Sequence, residues 1–211
     1  MSASNRFFFV GATILLISLG ASASEVTVPG GSIDQIAEAV AEAGPGGRVT
    51  LGAGNHVITK TVVVDVNGVT IRGASGSKIL GRGNVAGERL VLFEIRANDV
   101  AMKDLDVAAA VQSVGDLALV VVFSGQRLSV TDCEAVDLVQ LVDGRDAAAL
   151  MALRNRVTTA IPTEVDPPAS HLVVIRTSGI GEVLIEANRL TGPRTADTVG
   201  IEILPPALGW D

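Results

Sequence analysis

The 211-residue chain holds one cysteine, no tyrosine, two histidines and a single tryptophan. Cys133 has no partner within the chain, so an intrachain disulfide is impossible and packing must supply the stability. Phe7, Phe8 and Phe9 crowd the N-terminus, which leaves Phe93, Phe123 and Trp210 as the aromatic residues of everything beyond. The core is therefore aliphatic, and the aromatic platforms on which neutral sugar rings commonly stack are nearly missing. Basic residues are scarce as well, 16 against 23 acidic, for a formal net charge of −7. That balance argues against nucleic acid, whose binding rests on phosphate neutralisation, and against an anionic lipid surface. His56 and His171 lack partners at metal-ligand spacing, and Gly73-Ala74-Ser75-Gly76-Ser77-Lys78 lacks the full phosphate-loop spacing. No Ser-His-Asp set can be drawn from spacing.

Long apolar runs are confined to the start. Arg6 precedes the run Phe7 to Leu19, and Ala21-Ser22-Ala23 follows as a small-x-small site. The run falls short of the roughly 18–20 residues that span a bilayer. Residues 1–23 read as a secretory signal peptide, with an uncleaved anchor as the rival reading. Removing Arg6 makes the remaining chain more acidic still. Residues 24–211 then form one domain by length, secreted or periplasmic, with no membrane segment after cleavage.

What the chain does contain is a phrase of eight residues, repeated loosely. It begins as Val69-Thr70-Ile71-Arg72 and continues as Val100 to Val107, Leu128 to Ala135, Leu150 to Val157 and Val183 to Leu190. Apolar residues hold places one, three and usually eight. Place six holds Leu105, Cys133, Asn155 and Asn188. The copies start 22 to 33 residues apart, the range of stacked-repeat architectures. A unit this short cannot bury its own apolar face, so it must stack on its neighbours.

Residues 32–43 have helical spacing, with Ile33, Ile36, Ala37 and Val40 on one face, a Ser32/Gln35 capping box and a Gly44-Pro45 stop. Short strands follow, at Val49–Leu51, His56–Ile58, Thr61–Val64, Val69–Ile71, Leu90–Ile95 and Val100–Met102. More are expected at Leu117–Phe123, Leu128–Val130, Val139–Val142, Leu150–Leu153, His171–Arg176, Val183–Glu186 and Val199–Leu204. Residues 158–170, rich in proline and acidic residues, read as a side loop.

The capped helix, then Gly46 to Ile58, then Val66-Asn67-Gly68-Val69-Thr70-Ile71-Arg72-Gly73, resembles the opening of the pectate-lyase-like superfamily. The repeats extend the likeness over residues 26 to 204. The resemblance implies an all-β fold, a right-handed parallel β-helix (a solenoid) whose first coil is plugged by an N-terminal amphipathic capping helix. An antiparallel sandwich would leave the place-six pattern unexplained.

Stacking turns the phrase into columns. Places one and three point inward, and Asn155 above Asn188 forms a short asparagine ladder at a turn. Cys133 fills the same column as a small buried residue. Outward, place five stacks Asp104, Asp132 and Arg154, and place seven stacks Asp106, Glu134, Arg156 and Arg189, with Lys103 alongside.

Two readings of this patch stand side by side. In one, Asp104, Asp106, Asp132 and Glu134 ligate Ca²⁺, and Lys103, Arg154 or Arg156 is the base of a β-elimination on a uronate-containing polysaccharide. In the other, the charges form a ladder of exposed ion pairs, each of order 0–1 kcal/mol. The corresponding functions are a Ca²⁺-dependent polysaccharide lyase and a non-catalytic carbohydrate-binding or structural module. An acidic polysaccharide is the expected partner. The chain's last residues show no second capping helix, so self-association through the final coil is a further expectation.

Overall fold

The computed structural model describes residues 23–82, 90–109, 117–122, 125–136, 140–144, 149–158, 171–177, 182–191 and 198–203. The expected leader and side loop, except Ala23 and Thr158, and the last eight residues lie outside them.

Strand β1 (Glu25–Val28) and helix α1 (Ile36–Ala43) come first. After them the chain passes repeatedly through three sheets, called here A, B and C. The first round is β2 (Arg48–Leu51), β3 (Gly54–Ile58) and β4 (Val62–Val64), and the second is β5 (Thr70–Gly73), β6 (Ser77–Gly81) and β7 (Leu90–Ile95). The third is β8 (Val100–Lys103), β9 (Asp106–Ala109) and β10 (Leu117–Val122). The fourth is β11 (Arg127–Thr131), β12 (Glu134–Val136) and β13 (Gln140–Gly144). The fifth is β14 (Ala149–Leu153), β15 (Arg156–Thr158) and β16 (His171–Thr177). The sixth is β17 (Val183–Glu186), β18 (Arg189–Thr191) and β19 (Thr198–Ile203).

Sheet A orders β1-β2-β5-β8-β11-β14-β17, and sheets B and C likewise stack every third strand. The described strand pairs are all parallel. Among the described residues the fold is therefore all-β apart from α1. The repeated phrase is the A strand, a two-residue turn and the start of the B strand, so one phrase lies on the next in register.

Alternation within each strand sends places one and three into the interior. The column Val49, Ile71, Met102, Val130, Ala152 is fully buried through five rounds. Each large aliphatic side chain so buried contributes about 1.5–3 kcal/mol. In the last round the same columns open: Ile185 and Leu190 are only partly buried, and Ile201 is 46% exposed above the buried Ile175.

The first round is closed differently. α1 packs against β1, β2 and β4 and buries Ile36, Ala39, Val40 and Ala43, one face at helical spacing. Gly47 follows where only glycine fits, since a Cβ there would meet the Ala43 carbonyl oxygen at 2.2 Å.

The helix starts at Ile36 rather than Ser32, and the capping-box reading is corrected. Residues 31–34 instead run beside β3, with Ile33 bridging Val57 and the Asp34 N–H donating to Val57 O. The Ser32 hydroxyl is taken by His56 Nδ1 at 2.8 Å, and Gln35 caps the helix with no side-chain bond. His56 is buried, with its Nε2 on the Gly52 carbonyl at 2.7 Å, and serves as a strut between that segment and β3.

Candidate functional site: the corner between sheets A and B

From the third round on, each passage from sheet A to sheet B is made in two residues. The first, at place five, is left-handed: φ is 53° at Asp104, 56° at Asp132, 54° at Arg154 and 55° at Ala187. That conformation costs an L-residue roughly 1–2 kcal/mol, with Asp among the residues that tolerate it best. The geometry throws the place-five side chain outward and turns the place-six side chain into the interior. Backbone bonds then join successive turns: the N–H groups of Glu134, Arg156 and Arg189 donate to Leu105, Cys133 and Asn155 carbonyls, each at 2.8 Å.

Place six supplies the remaining partners. Asn155 is buried, accepts the Cys133 N–H at 3.0 Å and donates Nδ2 to Val130 O at 2.9 Å. Asn188 repeats the device one round on, accepting the Asn155 N–H at 2.9 Å and donating to Ala152 O at 2.7 Å. The ladder read from the sequence is thus present, and each asparagine reaches back one round. Cys133 lies buried in the same column, and burial pushes its thiol up to about 12, far from a reactive thiolate.

A second ladder sits at the corner between sheets C and A, where Asn67 Oδ1 accepts the Asn98 N–H at 2.8 Å and Asn98 Oδ1 accepts the Gln126 N–H at 2.9 Å. Its signal, an asparagine two places before the repeated phrase, went unread.

The outward columns have the predicted order. Asp106, Glu134, Arg156 and Arg189 pair directly in register along sheet B. Among the candidate residues, Asp132, Glu134, Arg154 and Arg156 meet in one shallow groove of about 290 Å³, joined by Arg189. Lys103, Asp104 and Asp106 lie outside its lining.

Arg154 grips Asp132 with two parallel bonds, Nε–Oδ1 and Nη2–Oδ2, both 2.7 Å. These bonds hold the Asp132 carboxyl below the ordinary carboxylate range against the opposing effect of burial, and the charges of Arg154 and Lys103 assist. They also raise the Arg154 guanidinium above its ordinary value, whereas proton abstraction asks for a lowered one. Arg156 approaches Glu134 at 4.0 Å and Arg72 approaches Asp104 at 4.0 Å. Arg72 had not been associated with this patch because its copy of the phrase ends there.

As the side chains stand, three of the four candidate Ca²⁺ ligands face arginines. Among the described residues no group of three or more His, Cys, Asp or Glu converges as a metal site. The donors therefore do not fit a calcium ion in this arrangement, which asks for six to eight oxygens around one point.

Arg189, the last member of the place-seven column, is not among the candidate residues of the sequence. It lies directly beside Arg156, and no acidic partner meets it among the described residues. Sheet A carries a second groove of about 290 Å³ on its outer face, floored by Ala101, Ser129, Met151 and Leu184 and edged by the Asp99–Arg127 ion pair.

No family model and no curated protein sequence matches the chain. Among solved structures it is similar to the PL6 family alginate lyase AlyGC, with a TM-score of 0.55 and 16% identity. The likeness covers 82% of this chain but only 30% of that lyase, and at this identity it speaks for the fold alone.

Proposed function

We propose that the rotation through three sheets closes into a right-handed parallel β-helix of the pectate-lyase-like superfamily. In this reading the chain is exported behind residues 1–23 and serves as a binding module for an acidic polysaccharide. The observation that carries the proposal is the charge of the A–B corner groove. On a chain of net charge −7, three guanidiniums there face two carboxylates, and one carboxylate is fully engaged by Arg154. A locally positive furrow on an acidic surface selects anionic chains and leaves neutral ones alone.

The likeness to an alginate lyase favours a second reading, Ca²⁺-dependent β-elimination on a uronate polymer, with Lys103, Arg154 or Arg156 as base. That reading requires Asp104, Asp132 and Glu134 to leave their arginines and converge with Asp106. The raised Arg154 guanidinium and the bidentate Asp132 contact weigh toward binding without catalysis.

Electrophoresis through gels carrying alginate, polygalacturonate or a neutral glucan separates these outcomes, combined with absorbance at 235 nm for unsaturated products. Retardation by the acidic polymers without product is expected. Product formation would move the assignment to the lyase, and equal mobility in all gels would refute polysaccharide binding.

A further inference from the structure

The outer face of sheet B changes character at its fifth and sixth rounds. Arg156 and Thr158 are exposed on β15 with Val157 buried between them; Arg189 and Thr191 are exposed on β18 with Leu190 between. Register pairs Arg156 directly with Arg189 and Thr158 directly with Thr191. The result is a square of two guanidiniums and two hydroxyls, about 4.8 Å across the strands and about 6.6 Å along them.

Like charges placed directly opposite on neighbouring strands repel. The Asp132–Arg154 neighbours solve that problem with an ion pair, but Arg189 has no acidic partner among the described residues and Arg156 reaches Glu134 only at 4.0 Å. An anion lying between the two guanidiniums removes the repulsion. A carboxylate suits it, because each of its oxygens accepts from a guanidinium fork.

The threonine edge is uncharged, and the exposed Thr158 hydroxyl offers one donor and two acceptor sites, the complement of sugar hydroxyls. The arginines also border the corner groove, so the square opens onto it.

We infer that Arg156, Arg189 and Thr158 form a subsite for one uronate residue, the arginines taking its carboxylate and the threonine a ring hydroxyl. This rests on the polysaccharide-binding reading but is narrower, since it places recognition in one square and makes the carboxylate the selected group.

Isothermal titration of the full chain with polygalacturonate and with its fully methyl-esterified form tests it. Esterification keeps the chain and its hydroxyls and removes the charge. The unaltered protein should bind the acid form at least about tenfold more tightly, as expected for losing hydrogen bonds to a charged group. Arg156→Gln/Arg189→Gln should bring acid-form affinity down to the ester level and leave ester-form affinity unchanged. Thr158→Val should weaken both forms alike. Arg127→Gln, an arginine on the sheet A edge, should weaken neither.

If the double arginine variant keeps its preference for the acid form, the subsite is wrong while polysaccharide binding stands. An equal loss in Arg127→Gln would mean that net charge and not this square selects the ligand. If neither polymer binds the unaltered protein, both readings fall together.

Discussion

Replacing Asn155 probes how the stacked turns hold together. Its side chain is the partner shown for the buried Cys133 N–H, and it also donates to the Val130 carbonyl, a member of the β11–β14 ladder, and to Asn188 Oδ1, both at 2.9 Å. Asn155→Ala strands the Cys133 N–H where water cannot reach it, since Asn155 is 1% exposed and Cys133 2%. At about 1–3 kcal/mol for a buried group left unpaired, the loss should be about 1–3 kcal/mol.

Asn155→Leu separates this cause from simple loss of packing. Leu105 occupies the same place two rounds earlier, so a leucine is compatible with the column, yet it pairs with neither group. Both variants should therefore fall by similar amounts. Asn188→Ala, at the half-buried end of the ladder where water can substitute, should cost about 1–2 kcal/mol. Urea unfolding with an unchanged slope measures all three. A loss below about 1 kcal/mol in Asn155→Ala, or a neutral Asn155→Leu, would refute the claim that the ladder works by satisfying backbone groups.

Three further outcomes follow from the turns and the first round. Ala187→Gly, at a φ of 55°, should raise stability by about 0.5–1 kcal/mol in the same unfolding assay; destabilisation would contradict the assigned turn geometry. Cys133 should resist thiol reagents at pH 8 until the protein unfolds, and stoichiometric labelling of the native state within minutes would contradict its burial. Burial acts to raise the Asp34 carboxyl, but the bonds from the Thr59 hydroxyl and the Thr59 and Lys60 N–H groups outweigh it and hold the carboxyl below its ordinary value. Its stabilising effect is therefore full above the unfolded value near 3.8 and is lost as pH falls through the lower folded value. Asp34→Asn should flatten the acid limb of the stability profile, and an unchanged limb would contradict the clamp.

The column structure was legible because stacking repeats the same physical demand every round. Place three must be apolar in Ile71, Met102, Val130 and Ala152 alike, and place six must fill the interior side of a two-residue turn. Four copies of one constraint show through insertions that vary the spacing. Ion-pair choice was not legible, because Arg154 reaching Asp132 and Arg72 reaching Asp104 depends on rotamers at exposed positions, where nothing but the two charges selects the partner. The helix start misled for a related reason. Ser32 and Gln35 have the residue types of a capping box, but pairing with β3 and the His56 ring satisfies residues 31–34 better than a first helical turn would. Arg189 is visible in its column but lies outside the acidic pattern of the earlier copies; its meaning depends on the direct pairing with Arg156.

The most direct measurement of the central claim is the affinity of the full chain for polygalacturonate or alginate at low and moderate salt, beside a neutral glucan. The corner groove predicts measurable binding of the acidic polymers, weakening as salt rises, with no binding of the glucan. Equal affinity for the neutral polymer, or none for either acidic one, would contradict it.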